Sequence, residues 1–156
     1  MTVNQMNMGL VPYLSVHNAK DAISFYCKVF GVTPHVCLTL PDDRVMHCEI
    51  RIGATKLFLS DELLEHGGTP CPESLGNTTI AIHAYVDDCD LTTRKMQELG
   101  ATVLVEPADM FWGKRFARVR DPFGHAWGLA TLQREMTPQQ IEEAARDLIQ
   151  QERKEA

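Results

Sequence analysis

Two imidazoles and a carboxylate are the side chains best suited to chemistry in this chain: His47 and Glu49, two positions apart in residues 44–52, and His83 in residues 79–86. Both stretches alternate. Met46, Cys48, Ile50 and Ile52 make one apolar face, which leaves Val45, His47, Glu49 and Arg51 on the other. In the second stretch Ile80, Ile82, Ala84 and Val86 alternate with Ala81, His83 and Tyr85. Two imidazoles and a carboxylate are a ligand set used by metal enzymes. Residues i and i+2 of one strand, however, lie about 7 Å apart at their α-carbons, so His47 and Glu49 could share an ion only if another strand supplied the opposite side. The pair also suits a base with the carboxylate that orients it, or a binder of a polar ligand, or simply two polar groups bonded to each other in a wet pocket. No nucleophile or oxyanion arrangement can be read around them, so binding is the expectation.

A second group is Phe111-Trp112-Gly113-Lys114-Arg115, where an indole and a guanidinium could clamp a flat or anionic molecule. The same segment could be a hairpin whose aromatics cap one end of the fold. Other polar residues point to structure. Arg118 or Arg120 can pair with Asp121, His125 falls in a turn, His17 precedes a helix, His35 starts a strand, and Asp61-Glu62 read as a solvated loop. The five cysteines, Cys27, Cys37, Cys48, Cys71 and Cys89, show no C-x-x-C spacing and fit neither a disulfide framework nor a zinc finger. Cys27 and Cys48 fall on apolar faces, and no cysteine is given a chemical role.

The elements that must position these groups repeat. Residues 11–16 are β-prone, and residues 18–30 then place Ala22, Ile23, Tyr26, Val29 and Phe30 at helical spacing before Gly31. Strands follow at 34–40, 44–52 and 56–60, separated by Pro41-Asp42-Asp43 and Gly53-Ala54. After the turn-rich residues 66–77 the order begins again: strand 79–86, helix 89–99 ended by Gly100, and strands 102–106, 114–120 and 126–131. Val16 matches Val86 and Gly31 matches Gly100, an offset of about 70 positions. The expected organisation is one domain over residues 8–132, built from a βαβββ module at 8–64 and a copy at 79–132. Residues 136–156 form a separate tail. Thr137-Pro138-Gln139-Gln140 reads as a capping box, and Ile141, Ala144, Ala145, Leu148 and Ile149 make an apolar stripe that needs a surface to lie on.

Composition narrows the partners. The chain has 156 residues, 44% hydrophobic, and 15 Lys plus Arg against 21 Asp plus Glu, for a net charge of -6. That balance gives no field for polyanions, so neither nucleic acid nor a membrane surface is expected. No apolar run reaches the ~20 residues of a membrane span, and MTVNQMNMGL lacks the pattern of a signal peptide, which points to the cytoplasm. Within the acidic total, Lys114, Arg115, Arg118 and Arg120 gather into a local cationic lip.

Tandem βαβββ modules carrying SVHNAKDAISFYCKVFG early and RVRDPFGHAWGLAT late resemble the vicinal oxygen chelate superfamily, which holds glyoxalase I, fosfomycin and bleomycin resistance proteins and extradiol dioxygenases. The resemblance covers about residues 8–132. Val45-Met46-His47, Ile52-Gly53, Leu59-Ser60-Asp61-Glu62 and Asp109-Met110-Phe111-Trp112-Gly113-Lys114-Arg115 are similar to its PhnB-like branch. The resemblance implies an α+β fold in which the two modules form an incomplete eight-stranded barrel around a cavity, with the C-terminal helix added. Tyr13 and Ser15, with Val11, would then face inward from the first strand, as would Ala126, Gly128 and Ala130 from the last, with Trp127 and Leu129 packed outward. It also implies four metal-ligand positions, here Val11, Phe58, Ala81 and Gly128, none of which can donate to a metal.

The functional expectation is a homodimer whose pocket binds or sequesters a small organic molecule through Tyr13, Ser15, His47, Glu49, His83 and Tyr85, with Trp112 and Arg115 at the mouth. No cofactor is expected, and a divalent ion at a shifted His47-Glu49-His83 site stays open. The opposing expectation is a lyase, isomerase or dioxygenase that uses a relocated metal or His47 as acid-base. A third is an assembly module in which the tail helix does the work.

Overall fold

The computed structural model describes residues 9–155. Residues 1–8, with most of the N-terminal stretch considered above, and residue 156 at the end of the tail lie outside it. The chain divides after Gly76 into two compact units. The first holds β1 (Tyr13–Val16), α1 (Ala19–Phe30), β2 (Pro34–Thr39), β3 (Val45–Ile52), β4 (Thr55–Asp61), a 3-10 turn at Leu64–His66 and the short α2 (Pro72–Leu75). The second holds β5 (Ala81–Tyr85), α3 (Cys89–Glu98), β6 (Thr102–Asp109), β7 (Lys114–Arg120), β8 (Ala126–Leu132) and α4 (Pro138–Glu155). Each unit has its own four-stranded mixed sheet, ordered β1-β4-β3-β2 and β5-β8-β7-β6, so the α+β organisation with its repeated module is what the chain adopts. In both, the first strand pairs parallel to the last, while the other pairs are antiparallel.

In the first unit α1 buries Ala22, Ile23, Tyr26 and Val29 of the stripe its spacing predicts, with Ala19 and Phe25 added, while Phe30 is only half-buried. Asn18 caps its start by accepting from the Asp21 amide, and Gly31 ends it at φ 66°. Under this stripe β3 and β4 contribute Val45, Cys48, Ile50, Leu57 and Leu59. Strict alternation would put Met46 in that core and Val45 on the open face, and the structure reverses this. Leu38 pairs with His47 but Thr39 pairs with Val45, so Met46 is the extra residue of a β-bulge. The bulge returns Val45 to full burial, leaves Met46 43% exposed, and frees the Val45 amide, which donates to Asp61 Oδ2 at 2.6 Å. Asp61 also accepts from the Ala19 amide at 2.9 Å. This carboxylate, expected in a solvated loop, is therefore a buried link between β4, the start of α1 and the bulge.

In the second unit α3 is capped by Asp88, which accepts from the Leu91 amide, and it buries Cys89, Thr93 and Met96. Beneath it lie Ala117, Val119, Trp127 and Leu129. The Asp-Pro-x-Gly-x-x-Trp stretch has a direct physical role: Asp121 accepts from the amides of Phe123 and His125, both at 2.9 Å, and from the Trp127 indole at 2.8 Å. One buried carboxylate thus closes the β7–β8 turn and satisfies the one polar atom of a fully buried indole. Ile80, which alternation groups with Ile82 and Ala84, precedes β5 and is 71% exposed, outside the strand's pairing.

The tail follows its expected chemistry at the start. The Thr137 hydroxyl accepts from the Gln140 amide and the Gln140 side chain accepts from the Thr137 amide, the two bonds of a capping box. Its lead-in is fastened by Gly113, whose carbonyl accepts from Gln133 and Arg134. Gly113 stands at φ 81°, and a β-carbon there would meet the Arg134 carbonyl oxygen at 2.6 Å, so no other residue fits. Along α4, Ile141, Ala144 and Ala145 are half-buried and Leu148 and Ile149 exposed.

Candidate functional site

The candidate residues divide between the units, four in each. In the first, β1 carries Tyr13 and Ser15, and both line a cavity of about 530 Å³ with Leu40, Met46, Ser60, Leu63 and residues 66–69. Alternation along β1 directs Tyr13 and Ser15 there while Leu14 goes under α1. The bulge delivers Met46 to the same face. Behind Tyr13 runs a polar chain. The Tyr13 hydroxyl lies 3.0 Å from His47 Nδ1, His47 Nε2 lies 3.4 Å from Glu49 Oε1, and Lys56 Nζ donates to Glu49 Oε2 at 3.1 Å.

Since an ionised carboxylate can only accept, Glu49 selects the imidazole tautomer with its proton on Nε2, and His47 Nδ1 then accepts from the Tyr13 hydroxyl. Lys56 holds the Glu49 carboxyl below its usual range, with the His47 bond adding to the effect. Glu49 and His47 do form a hydrogen-bonded pair, and both His47 nitrogens have partners, so the group this chain presents to the cavity is the Tyr13 phenol. Phe58 packs against this chain, its ring 5.9 Å from Tyr13 and 5.0 Å from His47.

In the second unit His83 and Tyr85 project from β5, with their rings 5.1 Å apart. The His83 ring also stacks on Phe116 at 6.0 Å. Lys114 Nζ donates to the Tyr85 hydroxyl at 2.7 Å and sits 4.3 Å over its ring. Tyr85 and Lys114 border a second cavity of about 420 Å³ with Val86, Asp87, Ala130 and Leu132. Trp112 packs on Phe111 and Phe116, its ring 4.8 Å and 6.0 Å away.

Arg115 points elsewhere. It forms a two-pronged ion pair with Asp90 of α3 and another with Asp109, so its guanidinium is committed to holding helix to hairpin and is not free as a clamp. Lys114 and Arg118 are the cations on the face of Phe116 and His83. The signal for this lay in β7 itself: Ala117 and Val119 are buried under α3, and Arg115 shares their parity.

The His83 imidazole is pushed below its ordinary range, chiefly by burial and further by Lys114 and Arg118. Replacing Lys114 by Met removes one repelling charge and is expected to raise the His83 titration midpoint, as read by NMR. An unchanged or lower midpoint would contradict this arrangement. With the folded midpoint depressed, the unfolded chain takes up the proton first, so His83 lowers stability as pH falls through the ordinary histidine range.

The four positions that the resemblance implies for a metal, Val11, Phe58, Ala81 and Gly128, carry side chains that do not fit an ion. Phe58 packs on Tyr13 and His47. A β-carbon on Gly128 would lie 2.9 Å from the Phe116 ring and 3.1 Å from His83 Nδ1, so the space over Gly128 is filled and does not widen a pocket. Val11 and Ala81 supply no donor atom.

Among the described residues, the group able to gather around an ion is a different one, His17, Glu62 and Cys71. Sequence reading missed it because its members come from three separate segments. Also among the described residues, no helix is long and apolar enough to cross a membrane.

Comparison with known proteins agrees with this architecture. An uncharacterized protein of Mycobacterium bovis is 35% identical over 146 residues, spanning 92% of this chain and 95% of its own. A solved Pseudomonas aeruginosa protein, 25% identical, superposes with a TM-score of 0.65 over 81% of this chain and 99% of its own. A Bacillus cereus PhnB protein, described as a putative 3-demethylubiquinone-9 3-methyltransferase, shares the fold at 16% identity, with a TM-score of 0.62 over 80% of this chain and 99% of its own. The model of one family matches residues 5–129, and the chain belongs to that family, the Glyoxalase/Bleomycin resistance protein/Dioxygenase superfamily.

Proposed function

We propose that this protein binds a small organic molecule in the cavity of its first unit without using a metal at the family's usual positions. The observation that carries the reading is the cavity of about 530 Å³ beside Tyr13, Ser15 and Met46. Its size suits a drug-sized ligand, and its wall is largely apolar with a smaller number of polar groups, the usual composition of a binding pocket. The phenol of Tyr13, oriented by His47 and Glu49, supplies the directional hydrogen bond.

The test uses anilinonaphthalene sulfonate as an apolar fluorescent probe. It is expected to bind saturably at one site per chain, and Met46→Trp, which adds volume at an exposed position of the cavity wall, is expected to weaken binding at least about tenfold. Equal binding by the variant would reject the cavity as the site.

The Tyr13-His47-Glu49 chain favours a second reading, a lyase or isomerase in which the phenol passes a proton with His47 behind it. Ligand released from protein purified out of cells separates the two, since a binder returns its ligand intact while an enzyme returns product that Tyr13→Phe no longer forms.

Homodimerisation belongs to the same proposal. It is supported by the exposed apolar residues Leu148 and Ile149 on α4 and Leu104 and Val105 on β6. A monomeric mass in sedimentation would reject it.

A further inference from the structure

We propose that His17, Glu62 and Cys71 form a surface site for a thiophilic divalent cation, with Zn²⁺ the ion that fits. The site lies outside the cavity described above and does not rest on its function. Its origin is topological. β1 and β4 run parallel and their ladder ends at Val16 paired with Asp61, so the next residues, His17 and Glu62, leave the sheet side by side. The following loop then brings Cys71, the residue that opens α2, against both, and the donor atoms of the three residues lie within 4.8 Å of one another.

Each ligand is already oriented. Glu62 Oε1 accepts from the Cys71 amide at 2.7 Å, which turns Oε2 toward the centre. His17 Nδ1 lies 2.6 Å from Glu73 Oε2 and so donates to it, which in the neutral ring leaves the Nε2 lone pair pointing inward. A ligating histidine whose other nitrogen donates to a carboxylate is the arrangement that stabilises bound metal. Cys71 is fully buried, with its thiol 3.6 Å from the Ser74 hydroxyl at the middle of the group.

The proton count argues that a cation belongs there. Ser74 Oγ lies 2.9 Å from both His17 Nε2 and Glu62 Oε2, and those two acceptors are 3.5 Å apart. With His17 neutral, the single serine proton satisfies one acceptor and leaves the other facing a lone pair, so the group needs one more positive centre, a second proton on the ring or a bound ion. A bound ion satisfies both. Tetrahedral zinc, with bonds of about 2.0 Å to nitrogen or oxygen and 2.3 Å to sulfur, separates its ligands by roughly 3.3–3.8 Å, close to the spacing of these acceptors. Cys71 would bind as thiolate, releasing its proton to solvent, and with Glu62 it would neutralise the ion. Ser74 or a water takes the fourth position, and the half-exposed His17 side chain leaves a way in from solvent.

The test uses the full chain stripped with chelator and titrated with Zn²⁺ by calorimetry in two buffers of different ionisation enthalpy. One ion per chain with net proton release is expected. Co²⁺ in its place is expected to give a thiolate-to-cobalt charge-transfer band that is lost in Cys71→Ser and kept in Cys37→Ser, which alters an exposed cysteine elsewhere. Zinc affinity is expected to fall about 10- to 100-fold in Glu73→Gln, which leaves every ligand in place. Should Cys71→Ser unfold, His17→Gln, at a half-exposed position, is expected to lower Zn²⁺ affinity at least about tenfold. Absence of saturable Zn²⁺ binding, a cobalt band that survives loss of Cys71, or unchanged Zn²⁺ affinity in His17→Gln would overturn the site and leave the group as a hydrogen-bonded staple for α2.

Discussion

Asp121→Ala is expected to destabilise the second unit by about 3–5 kcal/mol, seen as a lower urea midpoint. The carboxylate serves the Phe123 and His125 amides and the Trp127 indole, and the costs differ. The amides of Phe123 and His125 sit in a half-buried turn where water can replace part of the lost bonding. The Trp127 indole is 1% exposed and has no such recourse, so its orphaned N–H carries the full desolvation penalty, about 1–3 kcal/mol. Asp121→Asn separates the contributions. Its carbonyl can keep the two amide bonds made by Oδ1, but its NH₂ then opposes the indole N–H. About half the loss is expected, together with a shift of Trp127 fluorescence. A change below about 1 kcal/mol in the alanine variant would show that this carboxylate does not hold the turn and the indole together.

Asp61→Ala is expected to cost about 2–4 kcal/mol by a related mechanism with a different geometry. Its two oxygens are divided, one accepting from the Ala19 amide at the start of α1 and the other from the Val45 amide released by the bulge. Ala19 and Val45 are both fully buried, so neither N–H can turn to water. Asparagine cannot serve both, because its NH₂ would face a donor, and Asp61→Asn should therefore lose most of what Asp61→Ala loses. Hydrogen exchange gives a local readout: the amides of Ala19 and Val45 are expected to lose protection together. Protection lost at only one of them, or stability equal to that of the parent chain, would break the proposed link between helix start and bulge.

These two carboxylates show where reading the chain as a string succeeds and where it stops. The βαβββ repeat, most of the stripe of α1, its Gly31 stop and the capping box of α4 were legible, because each depends on residues a few positions apart whose spacing matches a helix or strand period. The Asp-Pro-x-Gly-x-x-Trp stretch was recognisable as a motif, but its reason, an indole donating back to its own turn, required the folded chain. Asp61 looked like a surface charge since nothing nearby in sequence needs an acceptor. The donors are 16 and 42 residues away.

The candidate site divides in the same way. Tyr13 and Ser15 could be assigned a face from the repeat and the family resemblance, and the His47-Glu49 pair from its i, i+2 spacing. Alternation failed at Met46 because one extra residue in β3 shifts the register, and hydrophobicity alone does not reveal a bulge when Val45 and Met46 are both apolar. Arg115 could have been read correctly from the parity of Ala117 and Val119, whereas its partners on α3 and β6 could not.

Short-range periodicity and capping chemistry were thus written in the amino-acid order, and with them the elements, the duplication and the faces of most strands. Which distant groups meet was settled only in three dimensions, where parallel pairing of β1 with β4 sets His17 beside Glu62 and a loop return adds Cys71. The physical reason is that hydrogen bonding within an element depends on neighbours, while the satisfaction of a buried polar atom depends on whatever the fold brings to it.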